Sequence, residues 1–174
     1  MIKLPIITAA CLALSSAPAF ALSLTEEIIG AGGQPIGSVK IETAVGGVLV
    51  RVNVGKGKIS TGWHGMHFHS IGDCSDIGKF KKSAGHMGKK EGAHGLKNAR
   101  GPEFGDMPNI YAPHQHDANA EFYVPGITIS GTATDGSVLL DADGSALVIH
   151  EKEDDHISQP IGGSGGRIAC AQIK

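Results

Sequence analysis

The clearest candidates for chemistry are histidines near the middle of the chain. His67 and His69 occur in the segment GMHFHS. Because side chains alternate along a strand, a His-Xaa-His pair in a strand points both imidazoles to the same face. Imidazole nitrogens suit copper and zinc, and many are deprotonated near neutral pH because their usual pKa is about 6.5. The pair therefore predicts part of a metal site, with two exposed strand histidines as the alternative.

Three further candidate ligands follow this pair within a short stretch of sequence. They are His86 in SAGHMGKK, His94 in EGAHGL and Asp106 in GDMP. Histidine nitrogens and one carboxylate, together with one more ligand, make a closed tetrahedral zinc site. Each residue alone also fits a solvated loop, but the three together indicate a second metal centre.

The segments that must position these groups are short and β-branched, and glycines and prolines separate them. In VLVRVNV the valines from Val48 to Val54 alternate with other residues, which predicts a half-buried strand. Further strands are predicted at residues 24–29, 36–43, 65–69, 120–123, 127–129, 146–150 and 167–173. About eight short strands predict an all-β barrel or sandwich. Residues 71–107 lack alternation and predict a long loop, which needs a metal or a functional role to order it.

Residues 1–21 have the composition of a secretory signal peptide, with Lys3, an apolar stretch and a small-residue end at Ala21. We expect cleavage after Ala21, leaving residues 22–174 as one domain in the periplasm or secreted; a lipoprotein attached through Cys11 is an alternative. Removing Lys3, the one charged residue of that segment, moves the formal charge from −2 to −3. Neither value indicates nucleic-acid binding. No apolar run of membrane-spanning length follows.

Two of the three cysteines, Cys74 and Cys170, follow the predicted cleavage site. Two cysteines in an exported domain are most simply a disulfide. Two buried free thiols are the alternative.

Six segments occur in the order seen in copper,zinc superoxide dismutases. They are GMHFHSIGDC, SAGH, EGAHGLKN, GDMPN, ALVIHEKEDDH and GGSGGRIAC. They run from His67 to the C-terminus, and the likeness extends over the strands from Ile36 onward. The chain thus resembles an exported bacterial member of this family. The resemblance implies a Greek-key β-barrel with long metal-binding and electrostatic loops, and an enzyme that disproportionates superoxide into dioxygen and hydrogen peroxide.

The resemblance also implies the ligands of two ions, copper and zinc. The implied copper ligands are His67, His69, His86 and His150. His86 would bridge to zinc and carry a proton during turnover, and zinc would also take His94 and Asp106. The family has a third zinc histidine where this chain has Glu103. We expect Glu103 to coordinate zinc, because glutamate is an accepted zinc ligand; the alternative is a surface carboxylate.

Other matching residues are expected to support these centres. Arg167 matches the arginine that attracts the anion beside copper, a task that suits a permanent charge. Asp154 matches an aspartate that links ligands of the two metals, and Cys74 and Cys170 match the intrasubunit disulfide.

Two other groups lie outside the matching ligand positions. Lys79, Lys81 and Lys82 are candidates for steering superoxide, with a solvated face as the alternative. His114 and His116 form a second His-Xaa-His, which we interpret as solvated, with an accessory copper or zinc site as the alternative.

Three further possibilities concern function and assembly. A copper-binding carrier on the same fold would hold metal without cycling it, and Arg167 argues against it. A zinc-poor dismutase is suggested by Glu103. The chain could also form a homodimer.

Overall fold

The computed structural model describes residues 22–88, 91–132 and 137–174. The predicted signal peptide lies outside the described residues. The strands are β1 (Ser23–Gly30), β2 (Pro35–Ala44), β3 (Gly47–Val54), β4 (Gly62–His64), β5 (Met66–His69), β6 (Ile110–Ala112), β7 (Ala118–Pro125), β8 (Ser145–His150) and β9 (Arg167–Ile173). A single 3₁₀ turn, Lys81–Ser83, is the one helical element of these ranges. The predicted all-β fold is confirmed.

Seven strands form one antiparallel sheet in the order β5-β8-β9-β1-β2-β3-β7, and β4 pairs with β6 in a separate two-stranded sheet. Some strands that follow each other along the chain, such as β7 and β8, do not pair. Long connections of the predicted Greek-key type join them instead. One of these connections runs from β5 to β6 and carries most of the candidate ligands.

The core lies on the face of the sheet that receives the alternating apolar side chains. Val48, Val50, Val52 and Val54 are all buried, whereas Leu49 and Arg51 between them are exposed. This is the alternation predicted for a half-buried strand. By contrast, β5 and β8 are buried along their whole lengths, so their histidines lie inside the molecule.

The structure corrects some predicted boundaries. Residues 127–129 form no strand, and they hold only an isolated bridge between Thr128 and Val138. Their apolar side chains Ile127 and Ile129 are nevertheless buried in the core, which accounts for the strand-like pattern. The short strands β4 and β6 were not predicted. Within the described ranges, no helix is long and apolar enough to span a membrane.

Candidate metal centre

Two strands and one long loop bring the candidate ligands together. His67 and His69 lie on β5, and His150 ends the neighbouring strand β8. The loop after β5 carries the other four groups, His86, His94, Glu103 and Asp106. All seven side chains are buried. Strand pairing therefore places three histidines, and the loop must be held against β5 to add the rest.

Backbone hydrogen bonds hold the loop against the edge of β5. The N–H of Met87 donates to the carbonyl of Phe68 at 2.8 Å, and the N–H of Phe68 donates to the carbonyl of Gly105 at 2.9 Å. A side chain at Gly105 would collide with the Phe68 carbonyl, so glycine is required there by close approach. These contacts place His86 and Asp106, which flank Met87 and Gly105, beside the strand.

One set of four imidazoles, here named the first donor group, consists of His67, His69, His86 and His150. Each ring offers a nitrogen, and the four nitrogens lie within 4.8 Å of one another. Among the described residues, His67 Nδ1, His69 Nε2, His86 Nε2 and His150 Nε2 are buried ring nitrogens with no hydrogen-bond partner. Buried polar atoms are rarely left unpaired. Four convergent lone pairs therefore fit a metal ion that takes nitrogen ligands.

The opposite nitrogen of each ring is anchored. His67 Nε2 lies 2.7 Å from Asp154 Oδ2, and His86 Nδ1 lies 3.0 Å from Glu103 Oε2. His69 Nδ1 lies 3.0 Å from the carbonyl of Ala84, and His150 Nδ1 lies 3.2 Å from the carbonyl of Gly165. Because these oxygens accept, each anchored nitrogen carries the proton. The other nitrogen keeps its lone pair for the centre.

Burial keeps three of these rings neutral. It lowers the pKa of His67 to about 4 and the pKa of His150 to about 3. Burial also lowers the pKa of His69 well below its usual range, and the nearby charges of His86 and Arg167 act in the same direction. At neutral pH these nitrogens are therefore deprotonated and ready to bind a cation.

The second donor group consists of His86, His94, Glu103 and Asp106. Asp106 Oδ1 lies 2.8 Å from His94 Nδ1 and 3.3 Å from His86 Nδ1, which is itself 3.0 Å from Glu103 Oε2. Ligand atoms arranged tetrahedrally at about 2.0 Å from an ion lie roughly 3.3 Å apart. The three distances between these side chains, 2.8, 3.0 and 3.3 Å, are therefore in the range for ligands of a small tetrahedral cation.

His67 is also close enough to His86, His94 and Asp106 to be counted with them. Its Nε2, however, donates a hydrogen bond to Asp154, and its Nδ1 belongs to the first donor group. Glu103 is the better fourth member because its carboxylate is buried and directly contacts His86. The structure thus places Glu103 beside His86, and its coordination of zinc stays an expectation from the family resemblance.

The carboxylates change the protonation of the second donor group. Burial alone would lower the pKa of His94, but hydrogen bonds to Asp106 and Asp154 raise it to about 10. For His86, burial is likewise outweighed by Asp106 and Glu103, and its pKa is raised. Without a metal, the His94 ring therefore holds an extra proton at neutral pH, and an ion must displace it.

Asp154 links the two donor groups. Its carboxylate accepts from His67 Nε2 at 2.7 Å and from His94 Nε2 at 3.2 Å. The side chain is fully buried, and its pKa lies below the usual range because these hydrogen bonds outweigh the effect of burial. A fixed carboxylate therefore orients one ring of each group.

Arg167 lies in an open cavity of about 750 Å³ that it shares with Lys79, Lys81 and Gly165. Its Nη1 donates to the carbonyl of Phe80 at 2.6 Å, and its Nη2 donates to the carbonyl of Ala84 at 2.6 Å. The Gly165 carbonyl in turn contacts His150, so the cavity adjoins the first donor group. Lys82 bonds to Ser75 and is not part of this lining.

A disulfide joins Cys74 in the loop to Cys170 on β9, as the cysteine count predicted. The bridge packs in a small buried cluster with Phe80, whose carbonyl accepts from Arg167. The disulfide thus helps to hold the loop under the guanidinium.

The family model for copper/zinc superoxide dismutase (SODC) matches residues 36–173. The chain belongs to the copper/zinc superoxide dismutase family. It is 41% identical to Superoxide dismutase [Cu-Zn] of Caulobacter vibrioides, covering 87% of this chain and 86% of that protein. It is 35% identical to Superoxide dismutase [Cu-Zn] 2 of Aquifex aeolicus, covering 85% of this chain and 84% of that protein.

Solved structures agree with this family assignment. A SOD-like protein from Bacillus subtilis superposes with a TM-score of 0.76 at 26% identity, covering 86% of this chain and 97% of that chain. The bacterial superoxide dismutase relatives and the disulfide fit an exported protein.

Several supporting residues of this superoxide dismutase family member were missed by sequence reasoning. The Asn109 side chain makes two hydrogen bonds to the backbone of Asp154. Its Nδ2 donates to the Asp154 carbonyl, and its Oδ1 accepts from the Asp154 N–H, both at 2.9 Å. Gln159 contacts the backbone of His94. The ring of His64 lies between the carbonyls of His150 and Ser60, at 2.8 and 2.9 Å. Apart from the contact between His64 and Ser60, these residues bind backbone groups distant in sequence, so no motif marks them.

The second His-Xaa-His pair lies apart from the centre. His114 and His116 are exposed between β6 and β7, and neither belongs to the two donor groups. Their exposure agrees with the interpretation of the pair as solvated, and an accessory metal site there stays the alternative.

Proposed function

We propose that this chain is a superoxide dismutase in which the first donor group holds copper and the second donor group holds zinc. The observation that carries the proposal is the set of four buried, unpartnered ring nitrogens that face one another. Four nitrogens suit copper, and two imidazoles with two carboxylates suit zinc. Membership of the copper/zinc superoxide dismutase family supports the same conclusion.

Bound copper supplies a one-electron couple, which zinc lacks. The residues of the chain perform the remaining tasks. Arg167 attracts the superoxide anion into the cavity, and its two bonds to loop carbonyls fix the direction of its charge. His86 belongs to both donor groups, so its Nε2 is placed to accept a proton and return it. With a second proton from water, two superoxide anions yield one dioxygen and one hydrogen peroxide.

Electrostatic attraction toward Arg167 is supported by the lining of its cavity. Lys79 and Lys81 add positive charge at the same opening, although the formal charge of the chain is −2. Local positive potential in a cleft raises the encounter rate of small anions and is screened by salt. This arrangement would serve no purpose in a copper carrier, and the comparisons do not favour that alternative.

The proposed domain boundary rests on the composition of residues 1–21, which is typical of a secretory signal peptide. We propose that cleavage after Ala21 leaves residues 22–174 as the mature domain, in the periplasm or secreted. The Cys74–Cys170 disulfide supports an oxidising compartment. N-terminal sequencing of the protein recovered from a periplasmic fraction would test both points.

We also propose a homodimer. The exposed rings of Trp63 and Tyr111 lie 5.0 Å apart on the two-stranded sheet, and exposed aromatic residues are enriched at protein interfaces. Light scattering should give twice the chain mass for the mature protein and the single chain mass for Trp63→Glu. A monomeric wild type would contradict the dimer and leave the enzyme assignment untouched.

Paired substitutions in the two His-Xaa-His segments test the metal assignment. His69→Gln should remove about one copper per chain and nearly all dismutase activity, since it removes one of four copper ligands. His116→Gln makes the same change at an exposed site and should leave both unchanged. Equal copper content and activity in the two variants would refute the assignment.

A further inference from the structure

The groups that direct the Arg167 side chain belong to one short turn. Phe80 lies just before the 3₁₀ turn Lys81–Ser83, and its ring is fully buried beside the disulfide. The Phe80 carbonyl accepts from Arg167 Nη1 at 2.6 Å, and the Ser83 hydroxyl oxygen accepts from the same nitrogen at 3.0 Å. The direction of the guanidinium therefore depends on the conformation of this turn.

Asp76 holds the turn through both its backbone and its side chain. Its carbonyl accepts from the N–H groups of Lys79 and Phe80, both at 3.0 Å. Its carboxylate accepts from the N–H of Lys81 at 2.8 Å and from the N–H of Lys82 at 3.2 Å. Four consecutive N–H groups thus converge on one residue, in the way that short acidic side chains stabilise turns.

Phe80 has a backbone conformation that needs such support. Its φ of 50° lies in the left-handed region, which a bulky residue seldom adopts. Strain of this kind persists only where the surrounding contacts impose it. The bonds from Asp76 to Phe80 and to Lys81 supply those contacts on both sides of the strained residue.

The carboxylate also places a negative charge near a cavity that attracts anions. Lys79 and Lys81 line this cavity together with Arg167. Burial lowers the pKa of Arg167, and the charge of Asp76 acts in the opposite direction, so the acid and the guanidinium interact. A negative charge here opposes the attraction of superoxide. The hydrogen bonds of Asp76, rather than its charge, therefore account for its position.

We propose that Asp76 is a positioning residue for Arg167: its carboxylate holds the turn that directs the guanidinium, although its charge weakens the positive potential of the cavity. This inference rests on the proposed function, in which Arg167 attracts an anion toward copper. Asparagine keeps an acceptor oxygen for the Lys81 N–H and removes the charge, whereas alanine removes both. These two substitutions therefore separate the hydrogen bonds from the charge.

The test measures the affinity of azide, a small anion, for the copper-loaded protein by optical titration. In about 1 M salt the Debye length is about 3 Å, so the charge of Asp76 is screened. Asp76→Ala should then bind azide about threefold or more weakly than wild type, a loss on the scale of one hydrogen bond, and Asp76→Asn should match wild type. In about 10 mM salt, Asp76→Asn should bind azide more tightly than wild type. Asp73→Ala is the matched control, because it removes a carboxylate of the same loop that bonds to Ser75, and in high salt it should match wild type.

Two results in high salt would overturn the proposal: equal azide affinities of wild type and a folded Asp76→Ala, or an equal loss in Asp76→Asn and Asp76→Ala. Hydrogen exchange of the wild type adds a measurement that does not depend on the folding of a variant. The amides of Lys81 and Lys82 should exchange slowly, and unprotected amides would also overturn the proposal. A copper-loaded wild type that binds no azide would instead refute the proposed function, and the exchange result would still decide whether Asp76 holds the turn.

Discussion

Replacing Asp154 by asparagine should weaken metal binding without changing any direct ligand. The two carboxylate oxygens have separate tasks. Oδ2 accepts from His67 Nε2, whereas Oδ1 accepts from His94 Nε2 and from the N–H of His156. An asparagine amide has one acceptor oxygen and one NH₂ group. Whichever way the amide turns, one of the two rings loses its acceptor.

The lost acceptor frees a ring to rotate or to change tautomer. For His67, a change of tautomer would put the proton on Nδ1, the nitrogen that faces the first donor group. For His94, the loss would remove one of the two acids that orient the ring. Losing such an outer partner typically weakens metal affinity by 10 to 100-fold, or about 1.4 to 2.7 kcal/mol at 1.36 kcal/mol per factor of ten.

Chelator competition measures this effect, with copper and zinc titrated separately into the metal-free protein. Asp155→Asn is the control, since the neighbouring aspartate is exposed and its side chain accepts hydrogen bonds from the nearby residues Ile157 and Ser158. We expect Asp154→Asn to lose affinity for at least one metal by the stated factor and Asp155→Asn to lose neither. Affinities for both metals within about twofold of this control would refute the orienting role.

Three further predictions follow from the cavity, the protonation of the second donor group and the disulfide. Arg167→Ala should lower the dismutase rate on the order of tenfold or more at low salt with metal content unchanged; a rate equal to that of wild type would contradict the guiding role. Zinc binding near pH 7 should release about one proton, because the pKa of His94 is raised to about 10, so zinc affinity falls as the pH falls; calorimetry in buffers of different ionisation enthalpy measures the release, and zinc binding without proton release would contradict the prediction. The double variant Cys74→Ser, Cys170→Ser removes a bridge between residues 96 positions apart and should lower the free energy of unfolding by about 4 to 5 kcal/mol. Denaturant unfolding measures this free energy, and a decrease below about 1 kcal/mol would contradict the prediction.

Periodicity and spacing predicted much of the fold and of the centre. The alternation of β3 reproduces its buried face, and the predicted strand at residues 167–173 has the observed bounds of β9. The family resemblance led us to expect Glu103 as a zinc ligand, and the structure places its carboxylate 3.0 Å from His86, while its coordination of zinc stays a prediction. The two strand predictions share a cause: the alternation of apolar side chains is visible in the sequence.

The remaining features depend on contacts that the sequence does not display. Strands β4 and β6 are three residues long, too short for a periodic signal. The carbonyls of Ala84 and Gly165 orient two histidine rings, and any residue type carries a carbonyl. Residues 127–129 alternate like a strand because Ile127 and Ile129 enter the core, although Thr128 makes only an isolated bridge.

The most direct test of the central claim is the metal content of the purified protein, measured together with its superoxide-disproportionation activity before chelation, after chelation and after copper is restored. The donor groups predict about one copper and one zinc per chain, with activity that is lost with copper and returns with it. Activity that survives complete removal of copper, or a copper-loaded protein without activity, would contradict the account.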